Sequence, residues 1–138
     1  MAISRHDLRI KAFELIFQCS VISADEAIDI SRIEEPEYYK KPYVEAVVNG
    51  VYEKREEIDN IISSHLKKNW SLERLPKVVR TVLRLAVFEM IYSDDVPPGV
   101  AINEAVEITK QYGDEKDPSF VNGLLASVYK EIKNDTRD

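Results

Sequence analysis

Three groups of side chains in this sequence have types and spacings that could do chemistry. Near the start, "SRHDLRIK" places Arg5, His6, Arg9 and Lys11 within two turns of a helix. Further on, Lys77, Arg80 and Arg84 fall at i, i+3 and i+7 within an otherwise apolar run. The third group is "PSFVNG", residues 118–123, where an aromatic, an amide and a glycine open a segment that otherwise reads as an amphipathic helix. Guanidinium and ammonium groups suit phosphates, an aromatic face suits an unstacked base, and an amide both donates and accepts at a base edge. That set is what single-stranded RNA recognition requires. RNA is favoured over DNA because the chain shows no helix-turn-helix and no long basic recognition helix.

Each group also has a purely structural reading. The N-terminal cations could be an ordinary solvated helix face, and the strip from Lys77 to Arg84 could pair with acids of neighbouring helices. Phe120 could tuck into the core as a staple, with Gly123 letting two helices pack closely. A glycine inside a helix is about 1 kcal/mol less favourable than alanine, so Gly123 needs some reason to be there.

Catalysis has little to work with. The chain has no GxGxxG or GxxxxGKS phosphate loop. His6 and His65 are far apart, and neither belongs to an HExxH motif. His65 falls on the inward side of its segment and is expected to be a satisfied, partly buried histidine. Cys19 continues an apolar stripe and is expected to be a core thiol. As the only cysteine, it excludes an internal disulfide and argues against a zinc cluster. Asp94 and Asp95 precede two prolines and read as a helix-ending loop. No enzyme, metal or cofactor is expected.

The elements that must position the three groups are helical. Of the 138 residues, 44% are hydrophobic and four are glycine, a balance that favours helices over a turn-rich β fold. Ser4 is a good N-cap, with Asp7 in the capping-box position. Leu8, Ala12, Leu15, Ile16 and Cys19 form one core stripe, while Arg5 and Arg9 begin another face that continues to Phe13 and Phe17. A short helix is predicted from the box Ser23-Ala24-Asp25-Glu26 to just before Pro36. A long helix is predicted over about 43–66, with Val44, Val47, Val48, Val51, Ile58, Ile61, Ile62, His65 and Leu66 inward. Pro76 is placed to start "KVVRTVLRLAVFEMIYS", apolar on most of its circumference and so the natural central helix, with Lys77, Arg80 and Arg84 as one exposed strip. "VAINEAVEITKQYG" is a further helix, with Gly113 suited to a left-handed C-cap. Ser119 is a plausible N-cap for the last helix, and residues 133–138 read as a frayed tail. The sum is an all-α bundle of six to seven helices in one domain, residues 1–138.

The net charge of −6 hides its distribution. Residues 67–84 carry six bases against one acid, while residues 85–138 carry eleven acids against five bases. A basic stripe on an acidic body fits a specific anionic partner and suits indiscriminate binding poorly. No apolar run reaches the roughly 18 residues of a membrane span, and the start has no apolar stretch for a signal peptide, so a cytoplasmic protein is expected.

With those residues in view, the chain closely resembles the NusB transcription antitermination family. The matching blocks are "LRLAVFEM", "VPPGVAINEAVEI" and "YG" followed by "FVNGLL", in that order. "SRHDLRIKAFELIFQ" is similar to the family's Arg-rich first helix, and residues 22–60 match weakly. The resemblance implies a non-catalytic, all-helical protein that binds the boxA element of nascent RNA, notably in ribosomal RNA operons. It implies NusE, a ribosomal small-subunit protein, as partner, and an RNA polymerase complex that reads through terminators. By position, Arg5, His6, Arg9 and Lys11 correspond to the RNA-touching Arg-rich segment, and Phe120 and Asn122 lie in the FVNG motif. Lys77, Arg80 and Arg84 lie where RNA and NusE surfaces should meet, with Phe17 and Arg84 toward the partner. A homodimer burying the Arg-rich face is a further implication.

One departure matters. Where family members often carry consecutive arginines, this chain has Arg5-His6-Asp7. Fewer fixed charges weaken the salt-dependent part of RNA affinity, so RNA binding is expected to be weak alone and appreciable with NusE. The rival from another class is a scaffold that docks NusE with little or no RNA binding. Charge reversal at Arg9 and Arg84 is expected to separate the two. A similar domain occurs at the N-terminus of some ribosomal RNA methyltransferases, but no cofactor-binding half is present and a free-standing factor is expected.

Overall fold

The structure is a computed structural model and describes residues 3–23, 28 and 32–135. Among them are six α-helices and no strand. The chain gathers into two compact units, Met1–Glu53 and Lys54–Asp138.

In the first unit, α1 (Arg5–Ser23) and α2 (Pro42–Glu53) pack together, with a 3₁₀ turn at Pro36–Lys40 before α2. Ser4 starts α1 as expected, its Oγ accepting the Asp7 N–H at 3.1 Å, which satisfies one of the helix's orphan donors. Ala12, Leu15, Ile16 and Cys19 are buried, as the stripe predicts, and Phe13 joins them. Val44, Val47, Val48 and Val51 are the buried side of α2. The short helix predicted from Ser23 falls largely on residues 24–27 and 29–31, outside the described residues.

The second unit consists of α3 (Arg55–Ser64), α4 (Lys77–Tyr92), α5 (Pro98–Tyr112) and α6 (Asp117–Asp135), with a 3₁₀ turn at Leu72–Arg74. Helix α4 is the centre of this unit and packs against α3, α5 and α6. Every residue from Thr81 to Met90 is buried. Three of these are polar, Thr81, Arg84 and Glu89; Thr81 Oγ1 donates to the Lys77 carbonyl at 2.7 Å, and Arg84 pairs with α3. On α5 the buried Thr109 hydroxyl likewise donates to the Ala105 carbonyl.

Four boundaries differ from the sequence reading. The long helix over 43–66 is two helices, because Lys54 sits at φ −100°, ψ 14°, outside the α-helical well. One residue leaving the well splits the element without disturbing the apolar period, so periodicity cannot find it. Pro76 precedes α4 in extended geometry, instead of occupying its first turn. Gly113 is extended at φ −99°, ψ −175°, not left-handed. It is glycine for want of space: a Cβ there would lie 3.0 Å from both the Thr109 carbonyl oxygen and Asp117 Oδ2. Finally, α6 starts at Asp117, not after Ser119, and its helix runs to Asp135, with 136–138 outside the described residues. The Asp117 carboxylate accepts the Asp114 N–H at 2.8 Å, which ties the preceding loop to the helix start.

Candidate nucleic-acid interface

In the first unit, α1 puts Arg5 and His6 on its first turn, both exposed. The Arg5 guanidinium lies 4.3 Å from the centre of the Tyr43 ring, a cation–π contact that limits where this long side chain points. Tyr43, at the start of α2, has no signature in the sequence beyond its aromaticity. Arg9 lies one turn on and faces the same ring at 5.6 Å.

Two of the expected N-terminal contacts are less open than the sequence implies. Arg9 is only 3% exposed, so it belongs to the buried side of α1 and not to a solvated face. The cause is its place in the register: it is followed at i+4 by Phe13, which is buried, and so shares the core-facing edge. Lys11 is six residues from Arg5, which at 3.6 residues per turn carries it about two-thirds of a turn around the helix. There its Nζ donates to Glu35 at 2.7 Å and lies 3.4 Å from Glu14 and 4.8 Å from the Tyr38 ring centre. The Glu35 hydrogen bond, helped by Glu14, raises its pKa above the ordinary lysine value against a smaller opposing effect of burial. Phe17 is half-buried and stacks on Phe13, with ring centres 6.0 Å apart and planes 15° from parallel.

In the second unit, the expected exposed strip on α4 breaks up. Lys77 is exposed and Arg80 half-buried, but Arg84 is 6% exposed. The Arg84 guanidinium grips Asp59 of α3 with both prongs, Nε to Oδ1 at 2.8 Å and Nη2 to Oδ2 at 2.9 Å. The strip therefore divides: its last member is buried and pairs with an acid of a neighbouring helix, while Lys77 is exposed and Arg80 partly so. The same α3–α4 seam carries the Tyr92 hydroxyl donating to Glu57, which pushes the Tyr92 pKa up to about 12. His65 is satisfied as expected, its ring held between Ser127 and Glu131 of α6.

The start of α6 bears on the structural reading of "PSFVNG". Phe120 is 38% exposed, so it is no core staple. Asn122 and Gly123 are exposed as well. A Cβ built on Gly123 meets nothing within 4 Å, so no helix packs there. An aromatic, an amide and a glycine are thus all presented at the surface at these positions. Beside Phe120 runs a groove of about 370 Å³, to which Trp70, Arg74 and Lys116 contribute. None of these three belongs to a motif that the sequence singles out.

Among the described residues, no group of His, Cys, Asp or Glu side chains could hold a metal ion. No helix among them is long and apolar enough to cross a membrane.

The chain is similar to a single family throughout its length. The NusB family matches residues 6–130. The transcription antitermination protein NusB of Enterococcus faecalis is 39% identical, covering 96% of this chain and 94% of that protein. Its counterpart in Bacillus subtilis is 41% identical, covering 94% and 97%. Among solved structures, T. maritima NusB superposes with a TM-score of 0.82 at 39% identity, covering 95% of this chain and 94% of that one. A structure of the antitermination factors NusB and NusE in complex with double-stranded RNA gives a TM-score of 0.73 at 32% identity, covering 92% and 96%. Identity at this level over nearly the whole chain, on the same all-helical fold, leaves one conclusion: the chain belongs to the NusB family of non-enzymatic transcription antitermination factors.

Proposed function

We propose that this protein binds boxA-type single-stranded RNA in nascent ribosomal RNA operon transcripts, together with NusE, so that RNA polymerase reads through terminators. The observation that carries the reading is the start of α6, where Phe120, Asn122 and Gly123 are all exposed and no neighbour packs against Gly123. Phe120 stacks on a base, Asn122 reads a base edge, and Gly123 lets the strand approach the helix. Lys77 and Arg80 on α4, and Arg5 and His6 on α1, supply charge toward phosphates. Arg9, Lys11 and Arg84 act instead through the fold that carries these groups. Phe17 contributes to the partner surface. The two units work as one NusB-like domain of residues 1–138 in the cytoplasm, and self-association competes with RNA for the Arg5 face.

A second reading has support from the same cations. With Arg9 buried, Lys11 held by carboxylates and Arg84 gripping Asp59, the cationic surface is thinner than the sequence implies. That favours a scaffold that docks NusE and leaves RNA to others. Charge reversal at Arg9 or Arg84 would now report on folding, so Arg5→Glu and Arg80→Glu replace them as the test.

The deciding experiment is fluorescence anisotropy of a labelled boxA-type RNA at two salt concentrations, with and without NusE. A scrambled RNA and a duplex of the same sequence serve as controls. Selective, salt-sensitive binding that NusE strengthens and that Arg5→Glu and Arg80→Glu weaken is the expected result. NusE binding with no RNA binding would establish the scaffold instead.

A further inference from the structure

We propose that the groove between Trp70 and Phe120 receives one unstacked RNA base, with Arg74 and Lys116 holding the flanking phosphate. The inference rests on the RNA reading above and adds to it a residue, Trp70, outside every motif the sequence offered.

Trp70 is 56% exposed, an unusual state for the largest apolar side chain. The backbone holds it there. The turn over 67–70 is closed by the Trp70 N–H donating to the Lys67 carbonyl at 3.0 Å, with Asn69 in the left-handed region at φ 75°. Asparagine is among the few residues that tolerate that region. Shortly after it, Leu72, which opens the 3₁₀ turn, and Leu75, which follows it, are buried and pin the segment. The indole is thus presented on an anchored support.

The groove beside it has a volume of about 370 Å³, toward the small end of the about 300–1,000 Å³ typical of small-molecule sites. Trp70 and Phe120 both line it, and Leu75, Pro76 and Val79 supply further apolar surface. Two half-exposed aromatics on one apolar groove form a place for a flat ring. The charged members select which flat ring. Arg74 and Lys116 line the same groove against a single acid, Asp117. The Asp117 carboxylate already accepts the Asp114 N–H. Lys67 and Lys68, both exposed, extend the positive rim along the chain. An aromatic-lined slot with a cationic edge fits a nucleotide, base inward and phosphate at the rim. An apolar peptide side chain would gain nothing from the cations.

Trp70 is the only tryptophan of the chain, so the proposed site carries its own reporter. The experiment follows Trp70 emission during titration with the boxA-type oligoribonucleotide, in the presence of a tryptophan-free NusE variant, alongside anisotropy of the labelled RNA. The expected result is quenching that saturates at the same RNA concentration as the anisotropy. Trp70→Ala should weaken binding about tenfold, within the range for loss of one base–aromatic stack, while Trp70→Phe retains most of the affinity. An abasic substitution walked along the oligonucleotide should abolish quenching at one position. Anisotropic binding without quenching, and with Trp70→Ala binding as the parent does, would overturn the base-receiving groove and leave the RNA reading standing. A change in emission on adding NusE, with none on adding RNA, would assign the groove to a protein and overturn it too. Loss of all RNA binding in the anisotropy channel would overturn both readings.

Discussion

Helices α4 and α6 lie in the same unit and resolve the same kind of irregularity in opposite ways. Helix α4 is an apolar helix interrupted by polar groups, and two of these are taken up by α3: Arg84 by Asp59 and Tyr92 by Glu57. Helix α6 begins with an aromatic, an amide and a glycine, and all three stay exposed. A residue that breaks its helix's pattern is either satisfied inside the molecule or left for something outside it. The type of residue does not say which; the neighbours do. Here one charge of the strip, Arg84, is structural, and the aromatic, which could have been a core staple, keeps more than a third of its surface exposed.

The comparison is most sharply broken at Arg84. Replacing it with alanine leaves the Asp59 carboxylate without its bidentate partner and removes a buried side chain. Breaking such a pair from one side typically costs about 3–5 kcal/mol; because Asp59 keeps some solvent access, we expect about 2–4 kcal/mol. Urea denaturation of Arg84→Ala reads this directly, and RNA affinity measured well below the unfolding midpoint should be close to that of the parent. An unchanged midpoint with lost RNA affinity would return Arg84 to the surface strip.

Phe120→Ala should do the reverse. Loss of one stacking platform is worth about 1–3 kcal/mol in single-strand binding, so RNA affinity should fall about tenfold. Stability should change by less than about 1 kcal/mol, because the ring is more than a third exposed. If stability falls by several kcal/mol and affinity does not, Phe120 is a staple after all and the contrast between the two helices disappears.

These two residues also mark what was legible. The all-α class, the core stripe of α1 and the central place of α4 follow from apolar periodicity, because burial of one face is what periodicity records. Whether a cation is exposed depends on what lies across from it in space. Asp59 is 25 residues from Arg84, and no local pattern links them. Arg9 is deceptive for a related reason: with Arg5, Phe13 and Phe17 it makes a face separate from the core stripe in the sequence, yet Arg9 and Phe13 are both buried. Trp70 was passed over because its exposure is set by one left-handed residue, Asn69, and by flanking leucines that anchor the turn. The "FVNG" motif stands out in the sequence because its oddity is local, a glycine and an aromatic in the first turns of a helix.

Tyr92 extends the comparison to pH. Its hydroxyl donates to Glu57, and this bond, with some desolvation, pushes its pKa up to about 12. An unfolded tyrosine titrates near 10, so the folded state favours the protonated phenol. The stabilisation is therefore complete below about pH 10 and is lost as pH rises through about 12. Tyr92→Phe should lower stability by about 1 kcal/mol at neutral pH, the usual size for a hydrogen bond to a partly solvated charged group. The difference between the two proteins should shrink between pH 10 and 12. A pH-independent difference would mean that ring packing against Phe88, 5.4 Å away between centres, and not the hydroxyl, carries the effect.

The smallest effect is the most diagnostic, because it moves two quantities in opposite directions. Gly123 sits inside α6, where a Cβ would meet nothing. Gly123→Ala should therefore stabilise the protein by about 0.5–1 kcal/mol, since alanine gives up less backbone freedom on entering a helix. If the glycine is there to let a strand of RNA come close, the same methyl group stands in its way, and affinity should fall a few-fold while the melting temperature rises. A variant that is both more stable and equally able to bind would show that nothing approaches this face of α6, and that Gly123 has neither a structural nor a binding reason. A variant that is less stable would mean that the space is already filled. Stability gained with binding lost is what distinguishes a position kept for a partner from one kept for the fold.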